Sequence, residues 1–250
     1  MAEALLRIAN LTKRFGSLAA CDGLSLDVLD GELHAVIGPN GAGKTTLISQ
    51  LFGELSPDDG AIWFAGRDIG ALPTAERVRI GLARSFQVTQ LLLDYTALDN
   101  VALAVQAHRG HSFRFWANAR RDRPVRERAL QTLARVGLER RGDTPVGEMS
   151  HGEQKLLELA IALATQPRLL LLDEPMAGLG TAECAATVEL LRGLKGETTI
   201  LLVEHDMDVV FALADRISVL VNGRCVITGS ADEVRNDAAV RTAYLGEGEL

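Results

Sequence analysis

One run of residues constrains this chain more than any other: Gly38-Pro39-Asn40-Gly41-Ala42-Gly43-Lys44-Thr45-Thr46. It fits G-x-x-x-x-G-K-[ST], the spacing of a phosphate-cradling turn. Its surroundings suit that use. The apolar stretch Leu33 to Ile37 before it reads as a buried strand, and Thr46-Leu47-Ile48-Ser49-Gln50-Leu51-Phe52 after it reads as the start of a helix. A strand that turns through glycines into a helix aims several backbone N–H groups, and the positive end of the helix dipole, at one point. A polyphosphate fills that point. Gly38, Gly41 and Gly43 permit the tight path. Lys44 is placed to bind the β- and γ-phosphates, and the Thr45 hydroxyl to ligate Mg²⁺.

The bulk properties narrow the partners. With 250 residues and 47% hydrophobic content the chain can hold one large domain, or a core with a small subdomain. A net charge of −7 argues against nucleic acid as the main partner, because phosphate backbones select basic surfaces. Cys21, Cys184 and Cys225 are scattered, which suits a reducing compartment without a disulfide framework. The five histidines show no metal-ligand spacing. The start of the chain lacks a basic region followed by an apolar one, so no targeting peptide is expected. The longest apolar-rich region, Leu156 to Leu172, is broken by Glu158 and by Gln166-Pro167-Arg168, short of the roughly 20 apolar residues a bilayer needs. The expectation is a cytoplasmic chain that meets a membrane only through a partner.

Along the chain, residues 1–87 read as β-rich, then α/β. Leu5 to Leu11 and Leu24 to Val28 are strand candidates, Pro57-Asp58-Asp59-Gly60 is turn chemistry, and Ala61 to Ala65 is a further strand. From Val88 to Gln166 the pattern is helical. Ala97 to Ala107 and Val125 to Val136 carry apolar residues at three- and four-residue spacing, and Leu156 to Ala164 reads as a more buried helix. Leu169 to Leu172 and Thr199 to Val203 are short apolar runs suited to a parallel sheet covered on both faces. Helix patterns follow at Glu183 to Leu194 and Met207 to Ala214. Ile217 to Val221, Asn222-Gly223 and Cys225 to Thr228 read as a hairpin.

Two further constellations carry chemistry. The run Leu169 to Leu172 delivers Asp173 and Glu174 at its C-terminal end, a Walker B arrangement. Asp173 is expected to hold Mg²⁺, and Glu174 to polarise the water that attacks a γ-phosphate. Ser150-His151-Gly152-Glu153-Gln154 opens a helix with capping-box spacing. The plain reading is a well-capped helix. The sharper one is a second anion site at a helix N-terminus, reached by the phosphate of a different copy.

In this order the motifs resemble those of the ATP-binding subunit of an ABC transporter: GPNGAGKTT, then Ser85-Phe86-Gln87, MSHGEQ, LLLLDEP and Glu204-His205-Asp206. The chain is similar in particular to the ATPases of branched-chain amino-acid importers, through Met176-Ala177-Gly178-Leu179, Val203 to Asp208, the tail Ala243-Tyr244-Leu245-Gly246-Glu247 and the long insertion after Gln87. The resemblance implies a RecA-like P-loop NTPase core with an N-terminal antiparallel β portion and an inserted helical subdomain. The core is expected at 1–87 and 167–250, and the helical subdomain with its signature loop at 88–166. It also implies site roles. Phe15 stacks on adenine, Gln87 touches Mg²⁺ and the attacking water, and His205 bonds the γ-phosphate. Ser150, Gly152 and Gln154 contact ATP held by an opposite ATPase subunit, identical or related. Membrane permease subunits are the direct partners, an extracytoplasmic solute-binding protein an indirect one, and the inner face of the cell membrane the location.

Departures from that pattern are informative. His151 stands at a tolerant position of the signature loop. Gly180 replaces the Asp or Asn usual after Walker B, which puts tight coupling of two sites in doubt. Ten arginines between His108 and Arg141, against Asp122, Glu127 and Glu139, read as a solvated face or as a surface near lipid or an acidic coupling helix. Phe113, Phe115 and Trp116 lie in that segment. The rival readings are the ATPase of a urea or amide importer, a soluble ABC ATPase acting on DNA or ribosomes, and a nucleotide kinase or GTPase. The absence of an Asn-Lys-x-Asp guanine motif from the sequence, and the presence of the Ser150 loop, count against the last.

Overall fold

A computed structural model describes residues 4–85, 91–110, 122–238 and 240. The chain begins with two long antiparallel strands, β1 (Ala4–Phe15) and β2 (Leu18–Leu29). A buried strand, β3 (Leu33–Ile37), leads through the glycine-rich turn into α1 (Lys44–Phe52). Then come β4 (Asp59–Phe64), β5 (Arg67–Asp68), α2 (Thr74–Arg79) and β6 (Leu82–Arg84). Helices α3 (Ala97–His108), α4 (Arg123–Arg135) and α5 (His151–Ala164) pack on one another. The chain returns as β7 (Leu169–Asp173), α6 (Thr181–Leu194), β8 (Thr199–Val203), α7 (Met207–Leu213), β9 (Arg216–Val221), β10 (Arg224–Gly229) and α8 (Ala231–Asn236).

Two sheets result. One is antiparallel in the order β2-β1-β4-β5; the other runs β10-β9-β3-β8-β7-β6 and is parallel except for β10. Period-two alternation sends the side chains of each central strand into two cores. Leu169 and Leu171 of β7 join Leu47, Ile48 and Leu51 of α1 and Leu6, Ile8 and Ile62 of the antiparallel sheet. Leu170 and Leu172 join Leu98, Val101, Leu133 and Leu157 of the helices. That double coverage is why Leu169 to Leu172 of β7 and Ile200 to Val203 of β8 are unbroken apolar runs.

Several elements differ from the sequence reading. β1 and β2 extend well beyond their apolar cores, because cross-strand pairing carries Lys13 and Arg14 into the ladder. Asp59 and Gly60 belong to β4, and it is Asp58 that works as a bracket, accepting from the Arg14 N–H at 2.7 Å and from Lys13 Nζ at 2.7 Å. β5, α2 and β6 were not anticipated, and an isolated β-bridge, Thr96 to Pro145, ties the start of α3 to the segment before α5.

Arg77 explains why α2 sits where it does. It is 1% exposed, and its guanidinium donates to four carbonyls: Gln50 at 2.7 Å, Leu51 at 2.7 Å, Leu72 at 2.9 Å and Gly70 at 3.0 Å. Two of these end α1, where a cation meets the negative end of the helix dipole. Burial pulls the Arg77 pKa below its ordinary value, with Asp68 opposing. Arg77→Met strands these carbonyls, and we expect a loss of about 3 kcal/mol in urea denaturation. An unchanged midpoint would contradict the bracing role.

Candidate functional site

The parallel strands of the second sheet deliver their C-terminal ends to one edge, where α/β proteins bind ligands. β3 supplies the phosphate turn, β7 supplies Asp173 and Glu174, and β8, between them, supplies Glu204 and His205. The turn is fixed by close packing. Gly43 has φ +101°, and a Cβ there would lie 2.0 Å from the Ala20 carbonyl oxygen; a Cβ on Gly38 would lie 2.2 Å from that of Leu220. Gly223, in the β9–β10 turn, donates its N–H to the Ala42 carbonyl at 3.1 Å and so braces the turn from outside. Lys44 Nζ donates to the carbonyls of Gly38 at 2.6 Å and Pro39 at 3.1 Å. No side chain caps α1, and its first turn carries no acidic residue. Its leading N–H groups are thereby kept for an anion. Asn40 and Thr45 are exposed, and Pro39 and Thr46 half-buried.

Asp173 is nearly fully buried. Its Oδ2 accepts from Arg84 at 3.3 Å, while Oδ1 has no hydrogen-bond partner among the described residues. Burial raises its pKa; Arg84 and Lys44 oppose that shift and Glu174 adds to it. A buried carboxylate oxygen without a partner is a hard oxygen donor that fits a divalent cation such as Mg²⁺.

Glu174 adopts φ +49°, rare for a residue with a side chain, and its N–H donates to the Val203 carbonyl at 2.9 Å. His205 Nδ1 lies 3.9 Å from Glu174 Oε1, and its side chain is 65% exposed. Glu204, buried completely, accepts from the N–H of Met176 at 3.1 Å and of His205 at 3.1 Å. It pins the loop after β7 to the end of β8. Its pKa is raised by burial and held back by those two N–H groups.

Phe15, at the end of β1, is 52% exposed, with Lys13 Nζ 5.9 Å from its ring centroid. A flat ring in solvent is available for stacking. Gln87 and Phe86 lie outside the described residues, as do Phe113, Phe115, Trp116 and the tail 241–250.

The signature loop forms a separate group. Ser150 Oγ accepts from the Glu153 N–H at 3.2 Å, and Glu153 Oε2 accepts from the Ser150 N–H at 2.8 Å, a complete capping box. The Gln154 amide donates within its own chain, to the carbonyls of Val146 at 3.1 Å and Met149 at 3.3 Å. Gly152 packs against the Glu183 carboxylate, which also accepts from the Gly180 N–H at 3.0 Å. That carboxylate therefore closes the start of α6, where Gly180 offers no side chain. Arginines of the basic segment pair with carboxylates of the same chain: Arg126 with Asp99, Arg135 with Glu197 and Arg141 with Glu153. This suits the solvated-face reading for the described part of it.

The chain is similar to known proteins over nearly its whole length. A family profile described as ABC transporter matches residues 21–177, and one described as Branched-chain amino acid ATP-binding cassette transporter matches 228–249. The high-affinity branched-chain amino acid transport ATP-binding protein BraF of Pseudomonas aeruginosa is 36% identical, over 99% of this chain and 100% of its own. The probable branched-chain amino acid transport ATP-binding protein LivG of Methanocaldococcus jannaschii is 33% identical, over 97% and 98%. Among solved structures, an ATP-binding cassette of an ABC transporter in its ADP conformation superposes with a TM-score of 0.85 at 31% identity, covering 98% of this chain and 99% of that one. A dimeric cassette in a post-hydrolysis state with ADP and Pi gives 0.77 at 26% identity, covering 90% and 98%.

Proposed function

This chain belongs to the ABC transporter ATP-binding family, and from that premise we propose that its ATP hydrolysis drives uptake of branched-chain or related small amino acids through partner permeases. The relatives matched over nearly their whole length are what carries this reading. No described helix is long and apolar enough to cross a membrane, so passage of the solute falls to other subunits. The chain would then sit on the inner face of the cell membrane, with an extracytoplasmic binding protein delivering solute to the permeases.

In the proposed site the adenine stacks on Phe15 and the triphosphate lies along Gly38 to Thr46, with Lys44 exchanging its two carbonyl partners for phosphate oxygens. Thr45 and Asp173, with Gln87, would hold Mg²⁺, which when bound neutralises phosphate charge. Glu174 orients and takes a proton from the attacking water. His205 donates to the γ-phosphate. Ser150, Gly152 and Gln154 reach that phosphate from a second cassette, identical or related, so closure of the pair and its reopening after hydrolysis move the permeases.

The test is transport. Reconstituted with its partner permease subunits and a binding protein, the complex should take up leucine in an ATP-dependent manner, with isoleucine and valine competing. Preferential uptake of urea or a short amide would replace the amino-acid reading.

A further inference from the structure

Arg84 makes a buried ion pair with Asp173, one of the carboxylates of the proposed site. It is the last residue of β6, a three-residue edge strand that pairs with β7. Strand alternation sends it to the same side as Leu82, toward α1. There its guanidinium meets Asp173, Ser49 and Glu54. It donates to Asp173 Oδ2 at 3.3 Å and to Ser49 Oγ at 3.3 Å, and it pairs closely with Glu54. The arginine side chain is 6% exposed and that of Asp173 1%, while Glu54, at 38%, opens to solvent.

Burial makes this contact consequential. A carboxylate taken out of water needs a compensating charge, and removing one member of a buried pair leaves the other stranded. Arg84 occupies one oxygen of Asp173 and leaves the other buried without a hydrogen-bond partner among the described residues. Ser49 and Glu54, both from the α1 region, hold the guanidinium in turn. The arginine fork has the shape to make several such bonds at once, which a lysine ammonium lacks.

We propose that Arg84 is a positioning residue for Asp173: it fixes Oδ2 and thereby presents Oδ1 as the metal-facing oxygen. This rests on the reading of Asp173 as a Mg²⁺ ligand. The cation does not compete with the metal for the same oxygen. Without it, the stranded carboxylate relieves its burial by turning away, and the ligand is lost.

Two measurements test this. The first uses the nucleotide-free protein. Arg84→Met should lower the melting temperature, and Asp173→Asn added to it should recover most of the loss, because the stranded carboxylate is gone. Losses that simply add would overturn the pairing. The second follows binding of a fluorescent ATP analogue as Mg²⁺ is titrated. Arg84→Met should raise the Mg²⁺ midpoint by about tenfold or more, as loss of a ligand's supporting partner does. Metal-free binding should stay near wild type, and Arg84→Lys should fall between. A Mg²⁺ midpoint unchanged in Arg84→Met but raised in Asp173→Asn overturns the positioning role and leaves the site reading intact. A midpoint unchanged in Asp173→Asn overturns both. Equal weakening with and without Mg²⁺ makes Arg84 a packing residue and also overturns the proposal.

Discussion

Replacing Glu174 by Gln should slow ATP turnover by about 10²- to 10⁴-fold, the range a positioned general base contributes, while ATP remains bound. The substitution is close to a pure test. Gln keeps the length and the ability to orient a water, but it cannot take a proton. The backbone is held at φ +49° by the N–H bond to Val203 at 2.9 Å, and Glu and Gln experience that left-handed conformation alike. Folding stability should therefore barely move. His205, whose Nδ1 is 3.9 Å from the carboxylate, remains in place in the variant and cannot restore the lost step if Glu174 is the base. Phosphate release and bound nucleotide per protomer are the two readouts. Turnover at the wild-type rate would remove Glu174 from its proposed role and pass the proton to another group.

What could be read from the sequence, and what could not, follows the distance over which each contact is made. The phosphate turn, the two carboxylates after β7 and the Ser150 capping box are local patterns: each is fixed by residues within a few positions, so spacing alone exposes them. Central strands were legible for a related reason, since burial on both faces leaves an unbroken apolar run. Arg84 and Asp173 are 89 positions apart, and Met176 and Glu204 are 28 apart. No window contains either pair. The available hint was charge out of place, an arginine ending the apolar Leu82-Ala83 and a glutamate following Val203. β6 itself is too short to show a period, and it exists because β7 offers it an edge. Arg77 is likewise invisible locally, because its partners are backbone carbonyls, which no side-chain pattern records. The extra length of β1 and β2 comes from pairing with each other, not from their own alternation.

The second large effect concerns the site's completion by a partner. Within one chain Lys44 lies near Asp173, whereas the Ser150 loop is packed against Gly178 and Glu183 of its own protomer. If that loop closes on the triphosphate of a second copy, each site needs Lys44 from one protomer and Ser150 from the other. Lys44→Ala should cost about 2–3 kcal/mol of nucleotide affinity, roughly 30- to 150-fold, as loss of a charged hydrogen bond does. Ser150→Arg should leave nucleotide binding by the isolated protomer intact and abolish ATP-induced dimers of the Glu174→Gln protein. Ser150→Thr, which keeps the cap, should retain them. Mixing decides the geometry. A dimer of one Lys44→Ala and one Ser150→Arg protomer contains one site with both defects and one site with neither. The mixture should therefore recover ATP-induced dimers that neither variant forms alone, with one nucleotide held per dimer, as sedimentation and bound-nucleotide counts would show. If both residues served the same protomer's site, every site in the mixture would carry a defect and no recovery would occur.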